Sequence, residues 1–259
     1  MEKRLFIPCE DHELPMILTY PDTLGPYPCM LCLHGFLSYK EGDGHLLQKS
    51  AQYLAEHGIA SARIDFCSMG ENRASRQMYG VDMCIKETHA TFAWLQNDPN
   101  ILSDRIGLLG HSLGGRIAIL CADLPSFCII TLNGALKINQ PGAFSLPVEK
   151  EKEIQSQGYT IMSTSDGRVE LVFSSFLKDL SIQNDTIDHY KNPILVCVGA
   201  KDPTIDPANS YDFVQQRKDQ STDLCIIEHA DHTFLAKTGN YATLYALLEQ
   251  IVDWIQEKL

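Results

Sequence analysis

The chain has 259 residues, 44% of them apolar and 21% charged, with a formal net charge of −12. That balance belongs to a globular protein rather than a fibrous or disordered one, and with no basic stripe anywhere it argues against a nucleic-acid partner. A length of this order suits one large α/β unit or two small domains, and one core carrying an insertion is the expectation.

The opening stretch MEKRLFIPCEDHELP carries charges and a proline where an export signal needs an unbroken apolar run. No segment reaches the roughly 20 consecutive apolar residues that would cross a bilayer, so no membrane span is expected. Nine cysteines are scattered along the chain, and Cys32, Cys121, Cys128 and Cys197 sit inside apolar runs, where cysteine serves as a small buried hydrophobe. A reducing, cytoplasmic setting fits that usage. Cys29 and Cys32 form a C-x-x-C within the strand-like run CMLCLHG, and residues three apart on a strand face opposite sides. They are expected in the core rather than on a metal.

Two strands at 4–8 and 14–20, joined by the polar turn Glu10-Asp11-His12, predict an antiparallel start. From Cys29 onward short apolar strands alternate with longer helical patterns, which predicts an α/β fold with a mainly parallel eight-stranded sheet covered on both faces. The strands fall at 29–33, 59–64, 106–109, 128–132, 194–198 and 224–228. Helical spacing occupies 44–57, 81–97, 113–123 and 207–218, with a closing amphipathic helix at 241–258. Trp94 and Trp254 on these helices read as packing residues. Residues 135–192 break the alternation and are too long for a structureless connection. A short charged helix at 149–155 and alternating apolar residues around Asp166-Gly167 predict a small inserted cap with a β-hairpin. The core is then 1–134 plus 193–259.

Residues 110–115 read GHSLGG, a serine with glycines two positions away on both sides, directly after the apolar run at 106–109. A strand that must turn at once into a helix leaves its corner residue strained, and glycines relieve the collisions across so tight a bend. Ser112 is therefore the candidate nucleophile. A serine hydroxyl needs a base, a group that orients the base, and donors for the oxyanion. Those should come from loops at the C-terminal ends of other strands. His232, in ADHTF after the last strand, is the favoured base over His229, which lies nearer the strand. Asp202, in the turn after strand 194–198, is favoured as the orienting acid over Asp206 and Asp231. His12, His45, His57, His89 and His189 fall on turns or helix surfaces and need no task. Leu113 N–H, at the start of the next helix, and Phe36 N–H, after a sharp turn at Gly35 in LHGF, are the candidate oxyanion donors.

With these residues in place the chain resembles the α/β-hydrolase superfamily, and within it is similar to serine esterases of the cinnamoyl (feruloyl) and serine-aminopeptidase-like type. The motifs HGF at 34–36, ARIDF at 62–66, GHSLGG at 110–115, GAKDPTI at 199–205 and DHTF at 231–234 span most of the length. The resemblance implies a Ser112–His232–Asp202 triad with Phe36 and Leu113 as oxyanion donors, and a cap of this size before the acid. One departure stands out: where relatives carry R-G-x-G-x-S after the aspartate, residues 67–72 read CSMGEN and keep only the second glycine.

The expected activity is cofactor-independent and metal-free hydrolysis of carboxylic esters through an acyl-enzyme, on small to medium acyl or aryl esters including hydroxycinnamoyl ones. A thioesterase or a peptidase/amidase would use the same triad, and a non-catalytic ligand-binding protein could share the scaffold. A lipase fits less well, since the insertion has no long apolar lid stretch. The partner is thus a small-molecule ester, with a homodimer left open. Phe144, Tyr159, Phe173 and Phe176 of the cap are candidate pocket residues, for each of which packing is the favoured reading.

Overall fold

A computed structural model describes the chain apart from residues 138–145, 165, 181, 183–185 and 218–219. Strands β1 (Glu2–Cys9) and β2 (His12–Thr19) pair antiparallel from Glu2↔Thr19 to Cys9↔His12. The alternation that follows runs β3 (Tyr27–Leu33), α1 (Leu46–Glu56), β4 (Ala60–Ile64), α2 (Val81–Gln96), β5 (Ile101–His111), α3 (Leu113–Leu120) and β6 (Ile129–Leu132). An inserted segment contributes α4 (Val148–Gln157), the hairpin β7 (Tyr159–Ser163) and β8 (Val169–Phe173), α5 (Ser174–Asp179) and α6 (Thr186–His189). The chain then closes with β9 (Ile194–Gly199), α7 (Ala208–Gln216), β10 (Thr222–Ile227) and α8 (Ala242–Lys258).

Eight strands form one sheet in the order β1-β2-β4-β3-β5-β6-β9-β10. Only the pairs β1–β2 and β2–β4 are antiparallel; every other neighbouring pair is parallel. The central strands are apolar on both sides because helices cover both sides. Cys29, Leu31 and Leu33 of β3 belong to the core beneath α2 and α3, whereas Met30 and Cys32 belong to the core beneath α1 and α8. The C-x-x-C is therefore split across the sheet, as the strand period requires. In α8 the residues Leu244, Leu247, Leu248, Ile251, Val252 and Ile255 recur at intervals of three and four and are all buried. Burial of each such side chain stabilises by about 1.5–3 kcal/mol, which outweighs the modest propensity of the isolated helix.

Two differences from the sequence expectation have local causes. Strand β5 begins five residues early, because Tyr27 pairs with Ile101 ahead of an irregularity between Tyr27 and Cys29, and the exposed Ser103 and Asp104 hide this from an apolar pattern. His12 has a task after all. Its Nε2 meets Glu87 Oε1 at 2.8 Å, and that carboxylate, with no exposed side-chain surface, also accepts the Cys67 N–H at 2.8 Å and Asn72 Nδ2 at 3.1 Å. The hydrogen bond from Glu87 holds the His12 pKa above the ordinary histidine range.

Among the described residues no helix is long and apolar enough to cross a membrane. The sheet edge at β10 is tied to α8 by a side-chain bond from Trp254 Nε1 to Asp223 Oδ2 at 2.7 Å. Trp254 is thus a packing residue with a polar anchor. Trp254→Phe keeps most of the apolar contact and loses the bond, so stability in urea is expected to drop by about 1 kcal/mol. Hydrogen exchange should report the loss of protection in β10, with the β3 and β5 amides unaffected.

Candidate active site

Ser112 stands between β5 and α3 with φ 56° and ψ −118°, a conformation that costs about 1–3 kcal/mol and persists only where the surroundings over-determine it. The surroundings do so. A Cβ on Gly110 would lie 2.2 Å from the Gly114 carbonyl oxygen, and one on Gly114 would lie 2.1 Å from the Leu33 carbonyl oxygen. The glycines of GHSLGG are thus demanded by the close approach of three backbones: the end of β5, the first turn of α3 and the end of β3. Ser112 N–H donates to Leu132 O at 3.0 Å, and Ser112 O accepts from Gly115 N–H at 3.0 Å and Ala135 N–H at 3.2 Å. The corner is pinned to β6 as well.

Gly35 serves a different need from the one read in the sequence. Its φ is not positive; the left-handed residue of this loop is Leu37, at φ 53°. What Gly35 supplies is room, since a Cβ there would sit 3.2 Å from Ser112 Cβ and 3.6 Å from His111 Nδ1. The peptide leading to Phe36 consequently lies against Ser112. His34 fixes the approach: its Nε2 accepts the Phe66 N–H at 3.0 Å, so Nδ1 carries the proton and donates to Gly35 O at 2.8 Å. Leu37 N–H donates to the Tyr79 hydroxyl at 3.2 Å. The Phe36 ring packs 4.8 Å from that of Phe176.

On the other side of Ser112, Asp202 follows β9 by three residues. Its Oδ1 accepts the N–H groups of Thr204 at 2.7 Å and Ile205 at 3.0 Å, and its Oδ2 faces His232 Nδ1 at 2.7 Å. The Asp202 side chain is fully buried and that of His232 is 16% exposed. With Nδ1–H donating to the carboxylate, Nε2 remains the basic nitrogen. The competing candidates have other work. Asp206 accepts Ala208 N–H at 2.9 Å at the start of α7, Asp231 accepts Thr233 and Leu235 N–H at 2.9 Å each, and His229 is exposed.

Two residues that sequence reasoning missed tie this pair to the serine corner. His111, beside Ser112, is pushed down to about 4 by burial and is neutral, and its Nε2–H donates to His232 O at 2.8 Å. Asn133, one residue past β6, donates from Nδ2 to Asp231 O at 3.0 Å and His232 O at 3.1 Å. The same side chain accepts Gly199 N–H through Oδ1 at 2.7 Å. One buried amide therefore joins the loop of the acid to the loop of the base. Nothing in a lone Asn after a strand announces this, although its place at the C-terminal end of β6 is a signal that could have found it.

The loop at 67–72 has two left-handed residues, one of which is glycine. Gly70 has φ 49°, and a Cβ on it would lie 2.4 Å from the Asp65 carboxylate. Ser68 takes the other left-handed position at φ 61° without being glycine. Asp65 accepts Lys40 N–H at 2.8 Å, Lys40 Nζ at 2.6 Å and Glu71 N–H at 2.9 Å. Burial opposes the Lys40 charge, but the Asp65 and Glu71 hydrogen bonds outweigh it and hold that pKa above the ordinary lysine range. Of the cap aromatics, Phe176 is fully buried against Phe36 and Tyr79 and so packs. Phe173 is half-buried and Tyr159 exposed, with rings 5.9 Å apart, and Phe144 lies outside the described residues. Among the described residues no cluster of three His, Cys, Asp or Glu could hold a metal.

A mainly parallel eight-stranded sheet between two helical layers, with a strained serine corner at the C-terminal end of a central strand, is the α/β-hydrolase fold. Residues 69–258 match the dienelactone hydrolase family, and the chain belongs to it. The fold superposes on that of Est1E from Butyrivibrio proteoclasticus, solved with ferulic acid bound, at TM-score 0.78 and 20% identity over 98% of each chain. The α/β hydrolase GrgF from Penicillium sp. sh18 gives TM-score 0.80 at 15% identity, covering 100% of this chain and 99% of that one. In sequence, a peroxisomal succinyl-coenzyme A thioesterase of Mus musculus is 23% identical over 210 residues, 80% of this chain but 45% of the relative, so this chain spans under half of its length. A probable 2-oxo-3-(5-oxofuran-2-ylidene)propanoate lactonase of Bradyrhizobium sp is 25% identical over 231 residues, 84% of this chain and 77% of the relative. Its family is one of hydrolases.

Asn133→Asp replaces two donors with a carboxylate facing two carbonyl oxygens. It is expected to destabilise by about 2–4 kcal/mol in urea unfolding, because the acceptors at 231 and 232 lose their partner in a buried setting. His34 supplies a pH test. Burial pushes it down to about 4. A base with a depressed folded pKa favours folding fully above its unfolded value of about 6.5, and that advantage is lost as the unfolded chain takes up protons on acidification. Stability should fall between about pH 6.5 and 4, and His34→Gln should make that fall shallower.

Proposed function

We propose that the protein is a serine carboxylic ester hydrolase in which Ser112 is the nucleophile, His232 the general base and Asp202 the group that orients it. The observation that carries this reading is the 2.7 Å bond from His232 Nδ1 to a fully buried Asp202 carboxylate, with His232 tied through its carbonyl to His111, the neighbour of the strained Ser112. The carboxylate sets the tautomer and stabilises the imidazolium that forms when Nε2 takes the Ser112 proton. The serine oxygen attacks the ester carbonyl, and the oxyanion rests on the N–H groups of Leu113 and Phe36. Leu113 opens α3, whose positive end also favours the developing charge. His232 then protonates the leaving alcohol, and water, deprotonated by the same imidazole, releases the acid from the acyl-enzyme. No step requires a metal or a cofactor.

Residues 135–192 are read as a cap over this site, with 1–134 and 193–259 as the core. Small to medium acyl or aryl esters, hydroxycinnamoyl esters among them, are the proposed substrates, and the likeness to a fold that holds ferulic acid supports that class. Thioester hydrolysis is the second reading, supported by the succinyl-coenzyme A thioesterase relative. The nine free, buried cysteines support a reducing, cytoplasmic setting.

Ser112→Ala should lower turnover of p-nitrophenyl acetate by on the order of 10⁶ while thermal unfolding stays near that of the parent. A fluorophosphonate should label the parent at Ser112 and leave the variant unlabelled. Near-parental turnover by Ser112→Ala would remove the proposal, and folded parent protein that takes no label would favour a binding role. Parallel assays on methyl ferulate and succinyl-coenzyme A separate the oxygen-ester from the thioester reading.

A further inference from the structure

We propose that Arg168, in the β7–β8 hairpin of the inserted segment, is a positioning residue that holds Leu37 in the conformation turning the Phe36 N–H toward Ser112. The inference rests on the reading of Phe36 as an oxyanion donor. Leu37 has φ 53°, a region in which a leucine is strained. Two hydrogen bonds from outside its loop secure it. The Tyr79 hydroxyl accepts the Leu37 N–H at 3.2 Å, and Arg168 Nη2 donates to the Leu37 carbonyl at 2.8 Å. These bonds grip the two rigid peptide planes that flank the Leu37 Cα, so between them they fix both of its dihedral angles. The N–H plane gripped by Tyr79 begins at Phe36, whose own amide follows the Gly35 that touches Ser112.

Arg168 is itself held for this task. Its Nε donates to Asp166 Oδ2 at 2.8 Å and its Nη1 to Glu170 Oε1 at 2.7 Å, and its guanidinium lies 5.1 Å from the centre of the Tyr39 ring. Glu170 also pairs with Arg76, on the core side. A planar guanidinium can serve two carboxylates and a carbonyl at once from fixed directions, whereas a lysine ammonium is a single point donor. The hairpin thereby reaches the oxyanion loop through its backbone rather than through substrate.

The test uses the full chain and p-nitrophenyl acetate, whose small acyl group limits any direct contact with the hairpin. Arg168→Gln should lower kcat about 10-fold to 100-fold with KM changed less than about 2-fold, the signature of a misplaced donor felt only in the transition state. Arg168→Lys should recover part of that loss. Asp179→Asn, which weakens a different tie between the inserted segment and the core, the 3.2 Å bond from Asp82 N–H, should leave kcat unchanged. Parental kcat in Arg168→Gln, or a rise in KM alone, would overturn the proposal. So would loss of near-ultraviolet circular dichroism in both Arg168 variants, which would assign the residue to folding. Ser112→Ala is assayed beside them: if it keeps parental turnover the esterase reading fails, whereas an inactive Ser112→Ala with an unaffected Arg168→Gln removes only the role of Arg168.

Discussion

Three backbone segments approach one another at Ser112 more closely than any side chain allows, and the arrangement of the site follows from that. The end of β5, the first turn of α3 and the end of β3 meet where Cβ atoms on Gly110 and Gly114 would lie 2.2 and 2.1 Å from carbonyl oxygens. This contact forces the chain to leave the strand without an intervening loop and raises the serine above the sheet edge at φ 56°. It also brings β3's outgoing loop against the serine, so that a Cβ on Gly35 would be a tight 3.2 Å from Ser112 Cβ, a constraint of space rather than of dihedral freedom. The Ser112 corner and the loop after β3 are positioned by the same contact.

Asp202 and His232 are positioned by a second, polar device. Loops of this kind have their own conformational freedom, and holding two of them against a third element requires bonds that cross between strands. Asn133 provides these from the end of β6, with its oxygen on Gly199, the last residue of β9, and its nitrogen on the loop after β10. His111 adds a bond from the residue next to the nucleophile. Both side chains are buried and nearly saturated, so the low local dielectric strengthens the bonds instead of penalising them. His111 must be neutral to sit there, and burial keeps it so.

The strands, the two helical layers and the hairpin were legible because each repeats a period that apolar residues mark. The serine corner was legible because its glycines answer a steric need that leaves a local signature, and Asp202 and His232 because they follow strands that can be counted. Asn133, Tyr79 and the pairing of His12 with Glu87 were not. Each depends on a partner between 42 and 99 positions away, and nothing in the local sequence distinguishes such a residue from any polar or aromatic neighbour. Short helices such as α5 and α6 were missed for a related reason. At six and four residues they are too brief to display a helical period, and packing under the inserted segment forms them.

Backbone strain in the described residues follows the same geography. Of the eight non-glycine residues with positive φ, only Glu10 lies outside the connections that leave the C-terminal ends of the parallel strands. Leu37 follows β3, Ser68 follows β4, Ser112 follows β5, Asn133 follows β6, and Phe234 and Leu235 lie beyond β10. A parallel sheet buried on both faces is the rigid part of such a molecule, and its outgoing loops are the nearest places where strain can be stored and still be held. Ser68 makes the point most sharply, since it occupies a left-handed position without being glycine and does so beside the Asp65–Lys40 network that fixes the loop. Two of the strained residues also take part in hydrogen bonds to side chains or loops far away in the chain: Leu37 with Tyr79 and Arg168, and Asn133 with the segments at 199 and 231–232. Strain and distant hydrogen bonding therefore coincide, at Leu37 and Asn133, on the edge of the sheet where the parallel strands end.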